Sequence, residues 1–381
     1  MKLPTTINMI RQLIATPSIS CNDLEIDQSN QAIINLLATW CNELGFKCEI
    51  MPIHNYPNKF NLLATLGNGD DGLVLAGHTD TVPYDINSWQ YNPFQLTEKN
   101  NRLYGLGTSD MKAFFALALT TIEQLLTNNI KLQRPITIIA TANEETNMAG
   151  AKALIGKHKA SYALIGEPTG LKPIRMHKGI MMESIRLHGK SGHSSNPTLG
   201  NNALEGMYKV IGELLRWREQ LQTKYHNSAF QIPIPTMNFG HIKGGDSPNR
   251  ICADCELHID LRPLPGMNLT ELRSTIRQLV SKSLQNTGLN IEFKALFGGI
   301  PAMETPADAD IVQVTERLTK HSAETVAYAT EAPYLQALGM ETIILGPGDI
   351  EQAHQPDEFI AVDRLQPMID ILTQLIIHYN K

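Results

Sequence analysis

The sequence is short of cysteine, has no excess of positive charge and contains no long apolar run, and each shortage removes a class of protein. Five cysteines in 381 residues, an odd number without a regular frame, speak against a disulfide scaffold. They suit a reducing compartment, with the cytoplasm as the default expectation. Lysine and arginine total 32 against 38 aspartates and glutamates, a net charge of −6. That balance excludes an electrostatic nucleic-acid partner and a basic membrane-binding surface. No segment approaches the roughly 18–20 apolar residues needed to span a bilayer. The N-terminus has no uninterrupted apolar stretch either. Ile7, Ile10, Leu13 and Ile14 fit a short amphipathic helix, so no signal peptide is expected. Internal repeats and low-complexity segments are missing as well.

What is present is core material: 42% of the residues are hydrophobic and 18% charged, enough for one large or two ordinary domains. The first third alternates helical and strand patterns. "DQSNQAIINLLATWCNELGF" has helical apolar spacing with Gly45 as a stop, and "NLLATL" (61–66) and "LVLAGH" (73–78) are short strands. "KAFFALALTTIEQLLTNN" (112–129) is an apolar helix, "PITIIATAN" (135–143) a central strand, "AGAKALIGK" a helix and "YALIGE" (162–167) another strand. This alternation predicts an α/β sheet covered on both faces. From about residue 176 the order becomes β-α-β-β-α-β: strand 181–190, helix 201–221, two strands in "TMNFGHIKGG" and "ADCELHIDLRP", helix 268–284 and strand 290–296. That is a ferredoxin-like arrangement. The expectation is a helix-covered α/β domain from residues 1–175 and 298–381, with an inserted domain at 176–297.

One apolar run raises a question. "LVLAGHTDTVP" (73–83) ends in His78 and Asp80, which point to the same face of a strand. Alone, His78 reads as a surface histidine and Asp80 as a turn residue. Four other places share the pattern: "YGLGTSDMK" (104–112), "TANEET" (141–146), "IGEPTG" (165–170) and "EQAHQPDE" (351–358). Ligands of open α/β sheets sit outside the carboxyl ends of the strands. His78, Asp110, Glu145, Glu167 and His354 can gather there, an N/O donor set suited to Zn²⁺, Co²⁺ or Mn²⁺. Five donors exceed what one open zinc site takes, and a carboxylate bridging two metals accounts for the number. In "NEET", Glu144 and Glu145 project in different directions. One can ligate while the other serves as a general base for hydrolysis.

Other motifs carry less. Gly105-x-Gly107 lacks the third glycine of a dinucleotide fingerprint. Cys252-x-x-Cys255 has no second pair and lies in an alternating strand, so it reads as structural.

Taken in order, "LAGHTDTVP", "GLGTSDMK", "ATANEET", "IGEPT", "SGHSS" and "QAHQPDE" resemble the metal-dependent amidohydrolase–peptidase family, which includes deacetylases, desuccinylases, aminoacylase and carboxypeptidase relatives. "SNPTLGNNA", "GHIKGGDSPNRICADCELHIDLRPLPGM", "TEAP" and "LGPGDIEQAHQPDE" resemble the members that hydrolyse N²-acetyl-L-ornithine, a step of arginine biosynthesis, more than the desuccinylase or dipeptidase members. The resemblance implies two zinc ions, with Co²⁺ or Mn²⁺ as substitutes. His78 and Glu167 complete one site and Glu145 and His354 the other, bridged by Asp110, with a cis peptide at Asp110-Met111. It implies Glu144 as the base and Asp80 as the group orienting His78 through its other ring nitrogen. It implies a homodimer in which His193 of the inserted lid and dimerisation domain stabilises the oxyanion of the partner's site. Asn249 and Arg250 are the implied contacts to the substrate carboxylate, and the turn 346–348 offers backbone N–H groups nearby. A sibling hydrolase of the same chemistry is the alternative reading, and a non-catalytic metal-binding protein on the same fold is a further one.

Overall fold

A computed structural model describes residues 3–380. The chain forms two compact units. The first contains the residues up to 175, 305–324 and those from 330 on; the second contains 176–304 and 325–329.

In the first unit the sheet runs in the order Lys47–Pro52, Phe60–Leu66, Ile136–Thr141, Leu73–His78, Tyr162–Ile165 and Glu341–Ile344. Four of these strands, Ile136–Thr141, Leu73–His78, Tyr162–Ile165 and Glu341–Ile344, are parallel neighbours. Every residue of Leu73–His78 and Ile136–Thr141 is buried, as the unbroken apolar runs require of strands covered on both faces. Register then fixes the site. His78 pairs with Thr141, Ala76 with Ile165 and Ile165 with Ile344. Glu167 follows Ile165 by the two positions that separate His78 from Ala76. The residues just beyond these strands therefore emerge level with one another.

Helix Lys112–Thr127 is buried along most of its length and packs against helices Thr6–Ile14 and Leu365–Tyr379. The first of these turns Met9, Ile10, Leu13 and Ile14 inward, the face expected from their spacing. Burying each such side chain stabilises the unit by about 1.5–3 kcal/mol. Two glycines let the buried helix reach the sheet. A Cβ on Gly166 would lie 2.1 Å from the Phe114 ring, and one on Gly77 would lie 2.1 Å from Met111 Cε. Each stands immediately before a candidate ligand.

The second unit is a four-stranded antiparallel sheet, ordered Thr236–Gly244, Asp254–Arg262, Ile180–His188, Asn290–Ile300, with helices Ala203–Lys224 and Leu269–Ser283. Cys255, Leu257, Ile259 and Leu261 point alternately into its core. Asn202 and Asn268 cap the two helices, their side chains accepting N–H bonds from Leu204 at 3.0 Å and Thr270 at 2.8 Å. The last strand runs on past 296 to Ile300 through register shifts after Ala295 and Phe297. The α/β sheet and the separate small antiparallel sheet are the fold class expected from the sequence. Among the described residues, no helix is long and apolar enough to cross a membrane.

Candidate metal centre

His78 ends its strand, Glu144 and Glu145 follow Ile136–Thr141, Glu167 follows Tyr162–Ile165, and Asp110 stands one residue before the buried helix. His354 joins them from the loop after the short turn Ile350–Gln352, with a left-handed φ of 59°. Donor atoms of His78, Glu144 and Glu167, and of His78, Asp110 and Glu145, form two groups within 4.8 Å. His78 Nε2 lies 3.0 Å from Asp110 Oδ1 and 3.8 Å from Glu167 Oε1. On the other side of Asp110, His354 Nε2 lies 3.5 Å from Oδ2 and 3.1 Å from the Glu145 carboxylate. Asp110 thus stands between the two imidazoles. The peptide after it is cis.

The residues present fit divalent metal. Glu167 Oε1 is buried and has no hydrogen-bond partner. His78 Nδ1 donates to the Asp80 carbonyl at 2.9 Å, so in that tautomer the Nε2 lone pair faces two carboxylates. A proton on Nε2, or a cation between the three groups, relieves that repulsion. The electrostatics agree. Burial and the neighbouring carboxylates push Glu144, Glu145 and Glu167 up. Burial disfavours a charged His78, but its bond to Asp110 and the charges of Glu167, Asp110 and Glu144 hold it well above its ordinary value. The bond to Glu145 lifts His354 to about 9, against burial and with help from the charges of Glu145 and Asp110. Acids that resist ionising beside bases that cling to protons mark a site short of positive charge.

The role expected of Asp80 divides between two of its groups. Its carbonyl, rather than its carboxylate, takes the His78 ring N–H; Oδ1 is 3.9 Å from Nδ1. The strand pairing runs on by one residue, the Thr79 N–H donating to Thr141 O at 2.9 Å. This leaves the fully buried carboxylate free to accept the backbone N–H of Glu144 at 3.2 Å and of Glu145 at 3.1 Å. Asp80 therefore fixes both the imidazole and the turn of the two glutamates.

Three buried charged groups nearby had no role in the sequence reading. Burial pushes Glu358 up to about 8, Glu331 up to about 7 and Lys112 down to about 7. Glu331 accepts the Thr141 hydroxyl at 2.7 Å, and Lys112 Nζ donates to Thr16 O at 3.0 Å. Glu358, Glu331 and Lys112 all lie inside quoted motifs, yet nothing in their spacing announces burial.

His193, Asn249 and Arg250 belong to the second unit and are exposed there. They do cluster with one another. His193 and Arg250 form an isolated strand bridge, and Ser194 N donates to the Asn249 carbonyl at 3.1 Å. Arg250 ion-pairs with Asp246 and borders a cavity of about 570 Å³ together with Arg186 and Lys243. His193 Nδ1 is occupied by Ser195, whose hydroxyl lies 2.7 Å away.

Residues 74–378, which contain all of these groups, match the family described as peptidase family M20/M25/M40. The chain belongs to that family. This M20/M25/M40 member is 51% identical over 380 residues to the acetylornithine deacetylase of Edwardsiella ictaluri, covering 99% of this chain and 98% of that one. It is 52% identical over 377 residues to the acetylornithine deacetylase of Proteus mirabilis, covering 98% and 97%. Its fold is similar to an M20 family metallo-carboxypeptidase from Sulfolobus solfataricus, with a TM-score of 0.77 at 20% identity over 99% of this chain and 100% of that one.

Proposed function

We propose that this M20/M25/M40 member hydrolyses N²-acetyl-L-ornithine to L-ornithine and acetate as a step of arginine biosynthesis, in the cytoplasm and as a homodimer. The observation that carries the reading is identity of about half the residues, almost end to end, with the acetylornithine deacetylases of Edwardsiella ictaluri and Proteus mirabilis. The crowded acids and imidazoles at the strand ends support the chemistry.

His78 and Glu167 would hold one zinc ion and Glu145 and His354 a second, with Asp110 contributing to both; Co²⁺ or Mn²⁺ would serve in their place. When bound, the metals supply Lewis acidity toward a water and toward the acyl carbonyl. The chain's own groups do the rest. Glu144 takes the proton of the attacking water and returns it to the departing amine nitrogen. Burial and the surrounding carboxylates raise its affinity for that proton. Asp80 holds the Glu144 backbone, so the carboxylate keeps its aim. His193 donates to the developing oxyanion across the dimer. Arg250, with Asn249 beside it, holds the α-carboxylate, exchanging its exposed partner Asp246 for the substrate.

The test is a panel of N²-acetyl-L-ornithine, N-succinyl-L,L-diaminopimelate and a dipeptide at equal metal loading, read as kcat/KM. The acetyl compound should lead. A succinyl substrate brings carboxylates that each need a partner, and an unpaired buried charge is costly. A lead for the succinyl compound or the dipeptide would move the chain to a sibling activity. Metal-loaded enzyme inactive on all three would leave a binding protein.

A further inference from the structure

The expected site leaves Glu358 without a task, although it closes the motif "QAHQPDE" and is only 1% exposed. Its carboxylate is aimed at backbone. Oε1 accepts the N–H of Ser109 at 2.7 Å and of Asp110 at 3.0 Å, and Oε2 accepts the N–H of Gly107 at 2.9 Å. Its carbonyl accepts the Gly105 N–H at 2.9 Å. Strand Phe359–Ala361, directly after it, pairs antiparallel with Arg102–Tyr104, directly before the glycines. Ser109 adds a second tie: its hydroxyl lies 3.0 Å from both the carbonyl and the N–H of Asp349. The loop that delivers Asp110 is thus fastened to the segment that delivers His354.

We propose that Glu358 is a positioning residue that sets Asp110 against His354 by gathering the backbone N–H groups of residues 107, 109 and 110 onto one carboxylate. The role rests on reading Asp110 and His354 as metal ligands. A carboxylate suits it because both oxygens of the ionised form are acceptor-only, and the three N–H bonds favour that form against burial. An amide of the same shape keeps one accepting oxygen and turns an NH₂ donor toward an N–H donor. The loop must then shift by tenths of an ångström or more, and Asp110 shifts with it.

The experiment compares full-length wild type with Glu358→Gln, each stripped of metal and titrated with Zn²⁺ alone, with kcat and KM measured at saturating metal. The second equivalent should bind about 10–100-fold more weakly in the variant, as changes behind a ligand do. Its kcat should fall while KM stays near wild type. A folded Glu358→Gln chain that binds both equivalents like wild type overturns the proposal and leaves Glu358 as a fold-stabilising group, whatever its melting temperature. If that variant does not fold, Ser109→Ala decides, since it cuts only the tie to Asp349. A smaller weakening of the second equivalent supports the role, and unchanged affinity overturns it. Wild type that takes up no Zn²⁺ at all defeats the ligand assignment instead, so the two failures are distinct.

Discussion

The groups at the strand ends of the first unit and the His193–Arg250 cluster of the second are built on opposite terms. Three of the first are sunk into the fold, His78 at 1% exposed, Glu167 at 5% and Asp110 at 7%, while Glu144 and Glu145 are half-buried and His354 is exposed. Their neighbours are backbone N–H and carbonyl groups that leave them little choice of position. The second cluster is exposed, and its side chains are occupied by local stand-ins, Ser195 on His193 and Asp246 on Arg250. Burial concentrates electrostatics and fixes geometry before any ligand arrives, so the first unit supplies reactivity. Exposed pairs are exchanged at little cost, so the second suits the proposed role of contacts that form only with substrate.

The sharpest test of this contrast is Glu144→Gln. Metal content should hold while kcat drops by at least ~10²-fold, because an amide cannot carry the proton. Normal turnover at normal metal content would remove Glu144 as the base. Asp80→Ala should come next, with activity or metal affinity at limiting Zn²⁺ lowered by about 10–100-fold. The cause differs from the one expected of a ring-orienting carboxylate. The carbonyl bond to His78 survives the substitution, while the Glu144 and Glu145 backbone loses its acceptor. Loss should therefore show in kcat at saturating metal as well as in uptake.

The exposed cluster is expected to give smaller and separable effects. Mixing the Glu144→Gln chain with a His193→Ala chain should restore about a quarter of wild-type activity after subunit exchange, since one complete site forms in each mixed dimer. No recovery, with exchange verified, would confine His193 to its own chain. Arg250→Ala should raise KM about tenfold, the order expected for one lost charge-assisted hydrogen bond, with metal affinity untouched. Smallest of all, Asn268→Ala removes a helix cap and should cost about 1 kcal/mol in a denaturant titration without altering KM.

The sequence made some of this legible and concealed the rest for definable reasons. Strand ends and ligands could be read together because central strands are continuous apolar runs, and an imidazole or carboxylate at their tips stands out. The inserted β-α-β-β-α-β order was readable from period alone. Strand Lys47–Pro52 went unread because it lies at an edge and is mostly exposed, so it carries no apolar run. Phe359–Ala361, Arg102–Tyr104 and Thr97–Lys99 are three residues each, too short to show a period. The helix expected over "AGAKALIGK" stops at Ala153. Helix Asp310–Thr319, by contrast, had a readable amphipathic face in Ile311, Val312, Val314 and Thr315 and was passed over. The task of the Asp80 carboxylate and the burial of Glu358, Glu331 and Lys112 depend on what packs around them, which one strand's sequence does not encode.

The level register of the parallel strands has a further consequence, for how the molecule comes into being. His78 and Asp110 are separated by 32 residues, but His354 and Glu145 by 209. The first pair can meet once the early strands have paired. The second must wait until the chain has run through the whole inserted unit and returned. Closing so long a loop is an expense that only the finished sheet repays. The approach of His354 to Glu145 is therefore expected among the later events of folding, and a chain halted before it would bring together only the His78 side of the cluster.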